Sequence, residues 1–434
     1  MMNLRPFQII LLAGFGFMAF AALILLANFQ STPSQEEVAY GKQVIVWGTL
    51  PGAVFDLTFR AIVQEDDAFG VVKYYEIDER DFDDDLINAI AEGRSPDMII
   101  LKSDSLVKHR AKLLPIPYES IPLGTYRNTY VDGADIFALK DGIYAMPFAV
   151  DPLLMYWNRD TFSSRGFAQA PRNWAEITSQ VVPRITVTDS NRNITQSAVS
   201  FGEFRNVTHA KDILMLLAIQ TGSSMVTEND RGYVVGVNKS EGPTLAPLES
   251  AMSFYTGFSD VNSTLYNWNR AMPTDKNAFI SGDLALYFGL GSEAPDIDQK
   301  NPNLNFDVTT VPQGSAATAL RTYGDFYGFA IPRASANPQG AFAAMSTISS
   351  ARFVGDLTVG LNMAPVRRDV VGAGDTGVYR STMLQSALIA RGWLDPNPDA
   401  SDSILMQMVE DVVSNRSRIS QAVSDAVNRL ILEY

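Results

Sequence analysis

The pattern of hydrophobic and polar positions divides the chain into one long apolar segment near the start and an alternating remainder. No charged residue occurs at positions 7–29. A helix of this length rises 1.5 Å per residue, spans about 34 Å and crosses the hydrocarbon core of a bilayer. Arg5 precedes the segment while Glu36 and Glu37 follow it, which favours a cytoplasmic N-terminus. We predict a single-pass transmembrane anchor in the cell membrane at residues 1–30, with a cleaved signal as the alternative, and a polar linker at 31–42. The remainder is then extracytoplasmic.

The exported part alternates between strand-like and helix-like periodicity. Residues 42–48, 71–77 and 97–101 are β-rich runs, and helical spacing occupies 53–65 and 83–93 between them. Strands that alternate with helices are typical of an open parallel sheet. Further helices are predicted at 174–182, 209–221, 248–258, 275–281, 338–350, 403–415 and 419–432, and further strands at 284–288, 306–311 and 327–331. The pattern predicts an α/β protein.

Length and composition narrow the possible functions. Beyond the apolar segment about 400 residues remain, which favours two lobes over a single core. The absence of cysteine excludes disulfides, thiolate catalysis and Cys-ligated zinc or iron–sulfur centres. A net charge of −14 disfavours nucleic acid as a partner, because a surface this acidic repels a phosphate backbone.

Several segments of the exported part resemble the motifs of one family of binding proteins. They are PDMII at 96–100, GIYAMPFAVDPLLMYWNRDTF at 142–162, PRNWAEI at 171–177, AFISGDLAL at 278–286, YGFAI at 327–331, NPQGA at 337–341 and APVRRD at 364–369. Each motif alone is short, but their order and spacing cover almost the whole exported chain. Together they resemble the type 1 family of bacterial extracellular solute-binding proteins, the substrate-binding proteins of ABC transporters that include maltose and sugar binders.

The resemblance implies a periplasmic-binding-protein type II fold, with two lobes of mixed open sheets and flanking helices around a cleft. Lobe one would comprise 43–150 and 306–352, and lobe two would comprise 151–305 and 353–434. The function implied is an extracytoplasmic receptor that captures a small polar solute, with a sugar or oligosaccharide favoured, by hinge closure. It would deliver this solute to ABC permease subunits. We expect no enzymatic activity, catalytic residue, metal or cofactor.

Candidate ligand-binding residues lie just beyond the carboxyl ends of strands, where open α/β sheets bind their ligands. Trp47 follows the first strand and suits either a sugar ring or a packing interface. Ser103 and Asp104 follow the strand at 97–101 and suit ligand hydroxyls, although a helix N-cap is the alternative. Asp151 interrupts the apolar crossing segment, where a carboxylate must face the cleft or be costly to bury.

Other candidates come from backbone freedom, position and the resemblance. Gly289 and Gly291 supply flexible backbone near the predicted cleft, and Tyr323 and Asp325 precede the second crossing segment. The resemblance adds three positions: Glu203, Phe204 and Trp393. Many sugar-binding members have a tryptophan after the AFISGDLAL segment, whereas this chain has Ser292. Peptides, polyols and phosphodiesters therefore stay open as alternative ligands.

Two other classes of function compete with a receptor. An exported hydrolase would need a Ser-His-Asp triad, but no GxSxG elbow occurs, and both histidines, His109 and His209, are expected on solvated helix faces. The acidic run at 83–85 suits a helix N-terminus. The series Asp395, Asn397 and Asp399 lacks the glycine and glutamate of an EF-hand loop. A membrane-anchored scaffold that keeps the fold without a ligand is the other alternative.

Overall fold

The computed structural model describes residues 40–434 except 192, 223–224, 231, 238–245, 316, 318, 375–376 and 378. The anchor predicted at 1–30 lies outside the described residues, as does the linker before residue 40. Among the helices of the described part, none has the length and apolar character needed to cross a bilayer.

The strands of the described residues follow the alternation seen in the sequence. They are β1 (Val44–Gly48), β2 (Val72–Glu76), β3 (Met98–Lys102), β4 (Ala138–Leu139), β5 (Gly142–Ile143), β6 (Met146–Asn158), β7 (Val187–Thr188), β8 (Ile194–Val199), β9 (Val226–Asn229), β10 (Gly232–Val235), β11 (Leu284–Leu290), β12 (Phe306–Thr310), β13 (Thr322–Ala330), β14 (Ala364–Pro365) and β15 (Ala390–Arg391).

Helices flank these strands. They are α1 (Gly52–Val63), α2 (Phe82–Ala91), α3 (Leu106–His109), α4 (Leu123–Thr129), α5 (Arg159–Ser164), α6 (Trp174–Glu176), α7 (Val182–Ile185), α8 (Ala210–Ile219), α9 (Pro247–Thr256), α10 (Asp275–Ser281), α11 (Ala294–Lys300), α12 (Pro338–Ile348), α13 (Ala351–Gly360), α14 (Arg368–Gly372), α15 (Arg380–Ile389), α16 (Pro398–Val413) and α17 (Ile419–Leu432). The residues of α8 itself are apolar on nearly every side of the helix, which is typical of a helix buried within the fold.

One mixed sheet runs through the molecule, in the order β2-β1-β3-β13-β6-β11-β8-β7. The pairs β1–β2 and β1–β3 are parallel, as the first strands and helices of the sequence predict, whereas β13 is antiparallel to both β3 and β6. At the other end β11 is antiparallel to β6 and parallel to β8. The sheet is therefore mixed: parallel pairs occur at β2-β1-β3 and at β11-β8, and the pairs between them and the terminal β8-β7 pair are antiparallel.

The long strand β6 connects the two lobes. Its first half pairs with β13 as far as Pro152, and from Leu153 onward it pairs with β11. The second half also pairs with β12 along its other edge. The sequence favours two strands separated by Asp151 and Pro152, but the structure has one continuous strand. Proline is tolerated here because it occupies the position where the strand changes partners.

Among the predicted helices, the one at 174–182 differs most from the structure. It consists of α6, a π-helical turn at Ile177–Val181 and α7, which contains Pro183 near its start. The helix predicted to begin at residue 403 begins instead at Pro398, which is favourable in the first turn because proline has no N–H to leave unpaired.

The boundaries between the lobes remain a proposal, and two contacts argue for adjusting them. Strand β12 pairs with the second half of β6, on the edge opposite β11, so residues 306–310 group with lobe two. Helix α13 packs against α1, so residues 351–360 group with lobe one. We therefore propose that the chain returns to lobe one at β13 and leaves it after α13.

Candidate functional site

Lys102 forms the centre of a buried charged cluster where β3 meets β13. Its Nζ lies 2.9 Å from Oδ2 of Asp325 and 3.1 Å from Oδ2 of Asp104. The Tyr323 hydroxyl donates to Oδ1 of Asp325 at 3.2 Å. Burial raises the pKa of Asp325 to about 6 despite the opposing effect of Lys102. Burial also acts to raise the pKa of Asp104, but Lys102 and Lys211 outweigh it and hold that pKa below its ordinary value.

Asp151 lies beside this cluster, directly opposite Asp325 in the pairing of β6 with β13. Its carboxylate is 1% exposed and accepts a hydrogen bond of 3.0 Å from the Ser292 backbone N–H. Burial raises the pKa of Asp151 to about 7, and the nearby charges of Asp325 and Glu293 add to this effect. A side chain at Gly291 would place its Cβ 3.3 Å from Asp151 Oδ1. The glycine therefore lets the turn approach the carboxylate closely.

His209, just before α8, contacts the same turn through Glu293. Its Nδ1 lies 2.9 Å from Asp212 Oδ2, and its Nε2 lies 2.7 Å from Glu293 Oε1. Glu293 also accepts a hydrogen bond of 2.6 Å from the Tyr287 hydroxyl. Burial acts to lower the pKa of His209, but the two carboxylates raise it well above its ordinary value. The imidazolium is therefore the stable form in this site.

The expectation that both histidines are solvated is wrong. The side chain of His209 is 11% exposed, and that of His109 is 1% exposed with Nε2 at 2.8 Å from Asp83 Oδ1. The charged neighbours of each histidine in the sequence suggested a surface position, but the fold turns each ring inward onto a carboxylate. Neither ring lies next to a serine nucleophile among the hydrogen bonds of the described residues.

Lys211 forms the centre of a second charged cluster, with residues from the segment before α16. Its Nζ lies 2.7 Å from Asp395 Oδ2 and 5.8 Å from the centre of the Trp393 ring. Asp395 also accepts a hydrogen bond of 2.6 Å from Ser401. Asp395 is thus occupied by protein donors, and the described residues contain no group of acidic or histidine side chains placed to hold a metal ion.

A cavity of about 320 Å³ lies next to these clusters, lined mainly by residues 49–109 and completed by Tyr327, Pro398 and Asp399. Lobe one contributes Thr49, Lys102, Asp104 and Tyr327, and the start of α16 contributes Asp399. Lys108 and Asp399, which both line the cavity, form an ion pair with Nζ 3.3 Å from Oδ2. The cavity combines hydrogen-bond donors and acceptors of both lobes, as a site for a small polar molecule requires.

Most of the candidate residues of the sequence lie around this region. Asp104 lines the cavity, and Asp151, Gly291, Tyr323 and Asp325 form the adjoining cluster. Gly289 lies beside Glu293, since an added Cβ would be 2.9 Å from its Oε2. Trp393 belongs to the Lys211 cluster.

Four candidates have local structural contacts instead. Ser103 accepts a 3.1 Å hydrogen bond from the Phe326 N–H and so fastens β3 to β13. Trp47 is half-buried and packs against the core. Glu203 lies 3.3 Å from Arg270, and Phe204 is buried. Among the described residues no hydrogen bond or ion pair joins these last three side chains to the clusters. Their role in binding stays a prediction.

Sequence reasoning missed the basic members of the site, Lys102, His209 and Lys211. Lys102 comes directly after the predicted strand at 97–101, as Ser103 and Asp104 do. The expectation that ligands bind beyond the carboxyl ends of strands therefore applies to Lys102 as well. His209 and Lys211 begin a helix, where a positive charge is unfavourable without carboxylates nearby. Those carboxylates, Glu293 and Asp395, are distant in sequence, and no local pattern reveals them.

The fold is similar to that of two-lobed sugar-binding proteins whose structures are known. A cyclo/maltodextrin-binding protein complexed with maltotetraose is 15% identical, with 90% of this chain and 97% of that chain covered and a TM-score of 0.71. The sugar-binding protein of the phytopathogen Xanthomonas citri is 16% identical, with 90% and 97% covered and a TM-score of 0.72. An ABC transporter solute-binding protein of Thermotoga lettingae, bound with α-D-tagatose, is 18% identical, with 91% and 100% covered and a TM-score of 0.66. No curated protein matches the chain.

The sequence itself carries the family assignment. Residues 66–377 match the family of bacterial extracellular solute-binding proteins, which is well over half of the chain. The protein belongs to this family, as its motifs predict, and the family consists of binding proteins rather than enzymes.

Proposed function

We propose that this protein is the extracytoplasmic solute receptor of an ABC importer and that it binds a carbohydrate or a similar polyhydroxy solute in the cavity between its lobes. One observation carries the proposal: polar side chains of both lobes, including Asp104 and Asp399, line the same 320 Å³ cavity. Family membership supports a binding role. Structures with the same fold are named for maltodextrin and other sugars, which supports the solute class.

The solute would close the cleft by joining the lobes. Hydroxyl groups of a sugar would donate to Asp104 and accept from Lys102, both fixed by their contacts on lobe one. On the other side, Asp399 at the start of α16 would accept a further hydroxyl. Motion would concentrate in β6 around Pro152, where the strand passes from one lobe to the other, and just before β13, where the chain returns to lobe one. The closed form would then dock on the permease.

The N-terminal segment would keep the receptor at its transporter. Residues 7–29 carry no charge and suit a membrane-spanning helix, and the polar stretch that follows would act as a short tether. Tethering raises the local concentration of receptor near the permease, which compensates for weak docking.

A thermal-shift screen of the full chain in detergent tests this function. The panel contains sugars, oligosaccharides, polyols and short peptides. A solute present at a hundred times its Kd stabilises the protein by about 2.7 kcal/mol, a readable rise in Tm. We expect a carbohydrate to raise Tm in the wild type and not in Asp104→Asn. The control Asp85→Asn removes the same charge from an exposed position on α2 and retains the shift. No shift with any solute would favour the ligand-free scaffold.

A further inference from the structure

A second cavity, of about 790 Å³, lies at the other end of α8 from His209. Three arginines line it: Arg127 beyond the first turn of α4, Arg321 just before β13, and Arg391 in β15. The carboxylates at its wall are Asp132 and Asp135. Such a concentration of guanidinium groups is unexpected in a protein with a net charge of −14.

The strand pairing brings two of these arginines together. Strands β13 and β15 are parallel, with Tyr323 opposite Arg391. Arg321 precedes Tyr323 by two residues, and its charge acts on Arg391 across this pairing. Two cations held this close raise each other's energy unless a negative charge lies between them.

The carboxylates of the cavity do not neutralise this charge. Asp132 is shared, with one oxygen 2.6 Å from Arg368 and the other 2.9 Å from Arg391. Asp135 pairs with Arg127 at 2.8 Å. Among the described residues Arg321 makes no ion pair. Its guanidinium donates to the carbonyl of Leu320 at 2.9 Å. The three guanidinium groups of the cavity thus have two carboxylates, one of which is shared with Arg368 outside the lining.

The ionisation of Arg391 agrees with a surplus of positive charge. Burial lowers the pKa of Arg391 below its ordinary value, and the neighbouring Arg321 lowers it further, against the opposing effect of Asp132.

We propose that the cavity is a binding site for a phosphate group, held between Arg321, Arg391 and Arg127. Guanidinium groups present paired N–H donors that match the oxygens of phosphate. A phosphate anion would supply negative charge beside Arg321, which has no carboxylate partner among the described residues, and Arg391, which shares Asp132 with Arg368. The group could belong to free phosphate or to the phosphodiester headgroup of an anionic phospholipid, since both present negatively charged non-bridging oxygens that guanidinium groups bind. This site is separate from the cavity proposed for the solute.

Calorimetric titration of the full chain in detergent tests the site, at constant ionic strength set with chloride. Inorganic phosphate and glycerophosphoglycerol, a soluble phospholipid headgroup, are titrated separately. We expect at least one to bind the wild type, with Kd at least tenfold higher in Arg321→Gln/Arg391→Gln. The control Arg333→Gln removes one charge from an exposed arginine outside the cavity and leaves Kd within twofold.

Each outcome decides the proposal. Arginine-dependent binding of phosphate identifies the free anion, and binding of the headgroup alone identifies a lipid. Binding of neither probe, or binding that the double variant retains, overturns the proposal. Melting curves check that the double variant folds. If it does not, the single variant Arg321→Gln carries the test, because its guanidinium makes no ion pair among the described residues.

Discussion

Replacing Lys102 by methionine probes the charged cluster most directly. The lysine Nζ lies 2.9 Å from Asp325 and 3.1 Å from Asp104, whose side chains are 3% and 12% exposed. Removal of one partner from a buried ion pair costs about 3–5 kcal/mol, because the remaining charge is buried without compensation. The Lys102 side chain itself is 29% exposed, and solvent screens part of the loss. We therefore expect the free energy of unfolding to fall by about 3 kcal/mol at pH 8.

The loss should shrink as the pH falls. Burial already raises the pKa of Asp325 to about 6, and loss of the lysine charge raises it further. The folded variant then binds a proton that the unfolded chain lacks, so acidification favours the folded state. Between pH 8 and pH 5 the variant should recover stability relative to wild type, by up to about 1.4 kcal/mol per pH unit in the titrating range.

Urea denaturation at pH 5, 6.5 and 8 measures both effects. The double variant Lys102→Met/Asp325→Leu removes the uncompensated carboxylate as well, so we expect it to be more stable than Lys102→Met by about 1–2 kcal/mol at pH 8. A loss below about 1 kcal/mol in Lys102→Met, the same at every pH, would refute the buried cluster as described here.

Three further predictions concern the turn at residues 291–293 and the two side chains that contact it, Asp151 and His209. Burial raises the pKa of Asp151 to about 7, so wild type should lose stability as the pH rises from about 4 to 7, and melting curves of Asp151→Asn should show a flatter profile; parallel profiles would contradict this. The raised pKa of His209 keeps its ion pairs intact at pH 7, so His209→Gln should cost about 2–4 kcal/mol in urea denaturation at that pH and less at alkaline pH, where the imidazolium of the wild type loses its proton. Gly291→Leu should cost about 1–3 kcal/mol because the new side chain would crowd Met383 and Asp151, whereas the control Gly314→Leu, in open space, should have little effect on the same melting assay.

The fold was predictable because its signals are local or ordered along the chain. The apolar runs at β1, β2 and β3 and the helices between them follow simple periodicity, and the parallel pairing of these strands confirms the prediction. The motif at 142–162 identified the crossing segment. Its continuity as one strand was not predictable, because Pro152 normally interrupts a strand and only the change of partner accommodates it.

The acidic half of the site was easier to predict than the basic half. Asp104 and Asp151 stand out because a carboxylate after a strand or inside an apolar run needs an explanation. Lys211 and His209 are compensated by Asp395 and Glu293, more than 80 residues away in each case. Such pairs appear only when tertiary structure joins α8 to the turn at residues 291–293 and to the segment before α16.

The central claim, that the lobes close on a polar solute, is tested most directly by the distance between them. The chain has no cysteine, so the exposed positions Asp85→Cys on α2 and Ser403→Cys on α16 accept two spin labels without background. Double electron–electron resonance then gives the distribution of inter-lobe distances with and without each solute of the panel. We predict that a carbohydrate shifts the distribution to one shorter, narrower distance. A distribution that stays the same with every solute would contradict the account.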